Sequence, residues 1–305
     1  MQSQDPKEHS KEIFRWESGR TTRNYRIRKL KNNIVKILAI IAVLLVLYPL
    51  VDVLYLFAYR GLQVTTLAVL TQTTTTGSGL VGGGLANAIV GTLVILGISA
   101  GITIPLGVLS GIYLAEFAGE KSKFASSIRF VIDVLAAVPS IVLGYVGYLL
   151  LVYYLGWGFS AMAAGVTISV MMLPYIMRTT ELAIRRVPNG IREGAIALGS
   201  TKTSMINRLT LKFALPGVLT GILLAVSISF SETAPYLYTG SFSNYLPTQL
   251  FKEPIGYLTY VVWTFSQLPT TQAHNLAYSA SFLLIAFVVV VNFLARVVLK
   301  RFSKI

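Results

Sequence analysis

Three acidic side chains stand inside otherwise apolar runs of this 305-residue chain: Asp52, Asp133 and Glu232. A carboxylate carried into hydrocarbon costs ~2.5–3.5 kcal/mol on insertion scales, so each is by default a candidate for function or for interhelical pairing. Asp52, near the outer end of its run, and Asp133, near the start of another, read as interface or helix-capping residues. Glu232 stands deeper, in Ser231-Glu232-Thr233-Ala234-Pro235. There Pro235 interrupts helix hydrogen bonding and frees backbone groups for other partners, the pattern of a broken helix lining a cavity.

Other chemistries are excluded by what the chain lacks. It has no cysteine, hence no disulfide, thiolate metal site or cysteine nucleophile. His9 and His274 are far apart, which argues against a histidine metal site. No Gly-Lys-Ser or Gly-Lys-Thr occurs, so the loop and lysine that cradle ATP phosphates are missing. Gly77, Gly79 and Gly82 match G-x-G-x-x-G, but they follow Thr71 to Thr76 rather than a buried strand and precede an apolar run; we read them as a flexible outer loop. No His/Asp cluster, Ser/His set or close carboxylate pair falls on one span, so a membrane-embedded enzyme is disfavoured.

The elements that must position these residues are transmembrane helices. The chain is 54% hydrophobic and only 12% charged, with a mean hydropathy of +0.67, beyond the apolar content of ordinary soluble domains. A span needs roughly 20 apolar residues, and six stretches qualify: 34–57, 86–115, 131–155, 159–178, 213–232 and 277–299. The fold class is therefore all-α integral membrane, with about six transmembrane helices. The first run follows a 33-residue polar stretch without a small-residue cleavage site, so it is an anchor rather than a secretory signal.

A net charge of +14 points to membrane topology rather than to nucleic acid, because the charges sit between apolar runs instead of on one polar face. Of the 26 Lys and Arg, all but Arg60 and Lys252 fall in the amino-terminal tail, in the loops after the second and fourth spans, or in the carboxy-terminal tail. Basic loops resist translocation, so both termini and these loops are expected to be cytoplasmic. The amino-terminal tail doubles as a lipid-hugging topology determinant. The domain division is a basic tail at 1–33, a first helix at 34–57, a membrane domain at 86–299 and a short tail at 300–305.

The loop at 179–212 is long for a connection, yet Ile191, Ala195 and Leu198 recur at helical spacing. Gly199 supplies a cap, and Leu215-Pro216 marks the opening of the next span, where Pro216 is expected to break the helix. A short amphipathic helix at this place either docks a cytoplasmic partner or lies on lipid headgroups.

Glu193-Gly194-Ala195 followed by Gly199 resembles the E-A-A, then G, loop of ABC importer permeases, with Gly194 in place of the usual alanine. The stretches Gly83 to Thr92, Pro105 to Glu116, Val138 to Gly144, Arg178-Thr179-Thr180-Glu181 and Glu232-Thr233-Ala234-Pro235 are similar to A-type permeases of ABC phosphate importers. The resemblance implies the type I importer permease fold, with Glu193, Gly194, Ala195 and Gly199 in the loop that couples to the ATPase. It implies Arg178, Glu232 and Thr233 as substrate-path candidates, with Arg178 offering a planar fork matched to phosphate. Ile228 departs from the family, which commonly has arginine there. The implied partners are a C-type permease, two ATPase subunits carrying ATP and Mg, an extracytoplasmic phosphate-binding protein and the lipid membrane, with no cofactor on this chain. Importers of molybdate, tungstate or sulfate and a stand-alone transporter are the alternatives.

Overall fold

The structure is a computed structural model that describes residues 6–77, 80–119 and 122–302. It divides into two units, residues 1–56 and 57–305. The first unit holds most of helix α1 (Pro6–Val64). From Ile34 to Leu56 large apolar side chains are exposed all round this helix, as suits a segment built for hydrocarbon rather than water. Asp52 is exposed here.

In the second unit the end of α1 packs on the last helix: Arg60 Nη1 donates to Tyr278 Oη at 3.1 Å and Thr65 Oγ1 to Ser279 Oγ at 3.1 Å. A short α2 (Leu67–Thr71) leads to a hairpin, β1 (Thr74–Gly77) antiparallel to β2 (Leu80–Gly83). Gly77 and Gly82, expected in a loop, thus lie on paired strands; Gly79 lies outside the described residues. Threonine is β-branched and favours the pleated backbone, and Asn87 fastens the first strand. Its Oδ1 accepts from Thr74 N and Thr74 Oγ1, both at 3.0 Å, while its Nδ2 donates to Ser243 O at 2.7 Å.

The helices that follow are α3 (Ala86–Ile112), which runs on as a π turn over Tyr113–Phe117, α4 (Lys123–Ala137), and α5 (Ser140–Gly147), which continues to Tyr154. The expected single span at 131–155 is a pair of helices bent by 102°. Pro139 accounts for the break: it biases Val138 to extended backbone, observed at φ −70 and ψ 129, and α5 restarts immediately behind it. Then come α6 (Ala161–Arg185), α7 (Asn189–Ala197), α8 (Lys202–Met205) with a π turn at Ile206–Thr210, and α9 (Leu211–Ser231). The chain ends in α10 (Ala234–Thr239), α11 (Leu258–Tyr260) and α12 (Thr271–Phe302). Among the described residues five helices are long and apolar enough to cross a membrane, or six when the bent pair is one span.

The break expected at Pro216 is absent, because α9 runs straight through it. A missing N–H inside a helix forfeits one bond, and the turns on either side, including Thr220 Oγ1 donating to Pro216 O at 2.7 Å, carry the helix on. The break lies instead at Glu232, extended at ψ 139, and Thr233. Pro235 sits in the first turn of α10, where its missing N–H goes unneeded, so it starts a helix rather than interrupting one.

The core is α3 against α6, with α9 packed on both and α12 against α9. Small residues let these backbones approach: Gly107 faces Ile176, Gly165 faces Ile98, and Gly221 faces Thr179. A Cβ on Gly91 would overlap the carbonyl oxygen of Gly256. Gly91→Ala should therefore destabilise the protein by about 1–3 kcal/mol, read as a lower melting temperature in detergent. Gly97→Ala, on the same helix with nothing within 4 Å of the new methyl, should be neutral or slightly stabilising.

Candidate functional site

Two regions carry polar groups that the membrane fold would not otherwise favour. The first is the break after α9. Glu232 is half-buried and lines a small pocket with Ser229, Ile228 and Ala225 of α9 and Ile168, Met171, Met172 and Tyr175 of α6. The two breaks of the membrane domain meet here, where Gly144 of α5 lies against Pro235 of α10. Thr259 Oγ1 donates to Glu232 O at 2.9 Å, and Tyr236 Oη to Ser229 O at 3.0 Å. Freed backbone carbonyls are thereby satisfied by side chains. No ion pair to Glu232 occurs among the described residues. The wall at Ile228 is apolar, so among the described residues the break holds a carboxylate with no cation in contact.

The second region is the end of the bundle that gathers the basic loops. Glu181 is 3% exposed and takes three guanidinium groups: Arg129 Nε at 2.8 Å, Arg185 Nε at 3.0 Å and Arg178 Nη1 at 3.3 Å. Arg129 Nη2 and Arg185 Nη2 both reach Leu114 O at 3.2 Å. One carboxylate and one carbonyl of the first π turn thus tie α4, α6 and the end of α3 into a knot. Arg178 belongs to this knot rather than to the Glu232 pocket. It is its most exposed member, and its i,i+3 spacing to Glu181 makes the pairing local.

Beyond the knot stands α7. Ala195 is 5% exposed and seats the helix on Met205 and Ile206. Glu193 and Gly194 are exposed, as are Ile196 at 58% and Leu198 at 89%. Gly199 ends the helix in the left-handed region at φ +80, with its N–H donating to Ile196 O at 2.9 Å and Ser200 N to Ala195 O at 3.0 Å. This is a glycine C-cap, in a conformation other residues resist. The four motif residues fall together: one is an anchor, two are displayed, and one is the cap that aims an apolar tip outward. Asp133 is exposed on α4, one turn from Arg129 but in none of these ion pairs.

Glu181 and the pair Glu116–Arg192, whose charged atoms stand 3.0 Å apart, lie at the ends of apolar runs, where a charge reads in sequence as an ordinary interface residue. The Arg-Thr-Thr-Glu string was the one available signal for Glu181.

Residues 104–304 match the family described as binding-protein-dependent transport system inner membrane component. The chain belongs to that family. The permease is 47% identical over 221 residues to the phosphate transport system permease protein PstA 2 of Mycobacterium bovis, covering 71% of this chain and 72% of the relative. It is 37% identical over 278 residues to PstA of Yersinia pestis, covering 90% and 92%, and 35% identical over 283 residues to PstA of Haemophilus influenzae, covering 91% and 97%. Its fold is that of a chain from the inward-facing methionine ABC transporter MetNI, with a TM-score of 0.60 at 18% identity over 72% of the permease and 95% of that chain. It is thus a multi-pass membrane permease of the type I importer fold.

Proposed function

We propose that this chain is the A-type permease subunit of an ATP-driven phosphate importer. It forms half of the translocation path with a C-type permease, and two ATPase subunits dock on α7 around Glu193 to Gly199. Both termini face the cytoplasm, phosphate arrives from an extracytoplasmic binding protein, and ATP and Mg are held by the ATPases alone. The substrate rests on one observation, the alignment with phosphate permeases over nine-tenths of both chains. Docking is supported by the display of Glu193, Ile196 and Leu198 on a helix seated through Ala195. An exposed apolar tip on a rigid, capped helix is the form of a knob awaiting a cleft.

Closure of the ATPases draws α7 along and swings the attached spans between outward-open and inward-open states. Arg178, Glu232 and Thr233 are the path candidates of this chain. A phosphate dianion needs donors or cations along a low-dielectric path. With Ile228 apolar beside Glu232, the cation at that level comes from the partner permease.

The test is ATP-dependent uptake of radiolabelled phosphate into proteoliposomes holding the whole complex and its binding protein. Phosphate should be taken up in preference to molybdate and sulfate. Glu193→Ala should lower uptake roughly tenfold, the scale of one charge-assisted contact at about 1.5–3 kcal/mol. Preference for sulfate or molybdate would leave the architecture and remove the substrate; flux without ATP would remove the importer.

A further inference from the structure

Two charged atoms at the base of α7 are buried without a hydrogen bond: Glu116 Oε1 and Arg192 Nε. Yet the side chains adjoin, with Arg192 Nη2 at 3.0 Å from Glu116 Oε1 and the residues 20% and 5% exposed respectively. That same Nη2 donates to Ile184 O at 2.7 Å. A guanidinium can grip a carboxylate with two parallel bonds. Here the fork is turned aside, with one nitrogen committed to a backbone carbonyl and another left idle. Buried charges in contact but out of alignment are costly, and each such group calls for a reason.

The surroundings supply one. Glu116 lies in the π turn Tyr113–Phe117, whose Leu114 carbonyl is held by Arg129 and Arg185. On its other side α7 rests through Ala195 on Ile206, the first residue of another π turn, Ile206–Thr210. A π turn carries one residue more than the α register, and such turns are frequent at functional sites; two of the four in the described residues flank α7. Five buried side-chain atoms lack a hydrogen bond among the described residues, and four of them, on Glu116, Thr180, Arg192 and Thr210, belong to the segments that meet at this junction. Unmet hydrogen-bonding capacity is concentrated where α7 joins the membrane helices.

We propose that Glu116 and Arg192 form a two-position latch. In the state described here Arg192 is held by the Ile184 carbonyl; in the other it turns its Nε and Nη2 fork onto Glu116 and draws the π turn of α3 along with α7. The latch rests on the reading of α7 as the ATPase-docking helix, and it names the route inward. Displacement of α7 passes to α3 through Glu116, and from Leu114 to α4 and α6 through Arg129 and Arg185.

The quantity to measure is phosphate taken up per ATP hydrolysed, in proteoliposomes holding the complete complex. Glu116→Gln keeps the shape and removes the charge, while Arg192→Lys keeps the charge and removes the fork. Both variants should assemble and hydrolyse ATP, with phosphate per ATP lowered roughly tenfold in the first and several-fold in the second, the range of an allosteric coupling. A merely structural pair would lower yield, hydrolysis and uptake together and leave the ratio at its wild-type value; that result, in whichever variant assembles, overturns the latch. If the wild-type complex itself shows no ATP-dependent uptake, the proposed function falls and the latch with it, whereas normal wild-type uptake with unchanged ratios removes the latch alone.

Discussion

Glu181→Ala is expected to strip the membrane of most folded protein. The side chain is 3% exposed and is the shared counterion of Arg129, Arg178 and Arg185, so its removal leaves three guanidinium groups facing one another around an apolar gap. Breaking a buried ionic contact from one side costs about 3–5 kcal/mol, against a whole stability of roughly 5–15 kcal/mol for a typical domain. For a unit of this size the melting temperature should drop by roughly 10 °C, measurable by heating the detergent-solubilised protein and following its monodisperse fraction. Arg178→Ala should be much milder, below about 1 kcal/mol, because that side chain is nearly half exposed and its contact is the longest of the three. No loss from Glu181→Ala would mean that the knot contributes no stability, and equal losses from both variants would mean that exposure does not set the share of each member.

The membrane helices were legible in the sequence because lipid demands a simple code: about 20 apolar residues per span and charges sorted by side. The bend between α4 and α5 was written at Val138-Pro139, but its apolar neighbours made 131–155 look like one span, since hydropathy does not register a missing N–H. Pro216 misled in the opposite direction. A proline one turn into a helix is a weak signal of position, and only the backbone shows that α9 continues while Glu232 and Thr233 do not. Around Gly77, Gly79 and Gly82 the glycine spacing points to a loop, whereas the β-branched Thr74 to Thr76 bounded by glycine is a strand signal, and the strand signal prevails.

The α7 motif was legible by spacing and resemblance, and its division into a buried Ala195 and a displayed Glu193 follows from helical periodicity. The ionic groups were not. Glu181 and Arg129 are 52 positions apart, and Arg192 meets Glu116 across the chain. Nothing in the composition of either neighbourhood says that a charge at the end of one apolar run will be neutralised from another. Such pairings are settled by how α3, α4 and α6 cross, which is a tertiary fact.

Gly199 offers the sharpest test of α7 as a docking element, because a series of substitutions there changes backbone preference without a side-chain clash: nothing lies within 4 Å of a Cβ at that position. Its φ of +80 is open to glycine, tolerated by asparagine, unfavourable by about 1–2 kcal/mol for alanine, and closed to proline, whose ring fixes φ near −65°. Proline also deletes the N–H that Gly199 donates to Ile196 O. ATP-dependent uptake should therefore fall in the order Gly, Asn, Ala, Pro, with Asn close to wild type, Ala reduced several-fold and Pro reduced at least tenfold, while the permease still reaches the membrane. The site is exposed and α7 is anchored elsewhere, through Ala195 and Arg192, so a melting temperature within a few degrees of wild type should accompany the loss. Uptake that ignores this order would detach the orientation of the Leu198 tip from transport. Uptake that follows it, with fold and yield preserved, would mean that the aim of one capped helix governs whether the membrane half of the machine can be driven.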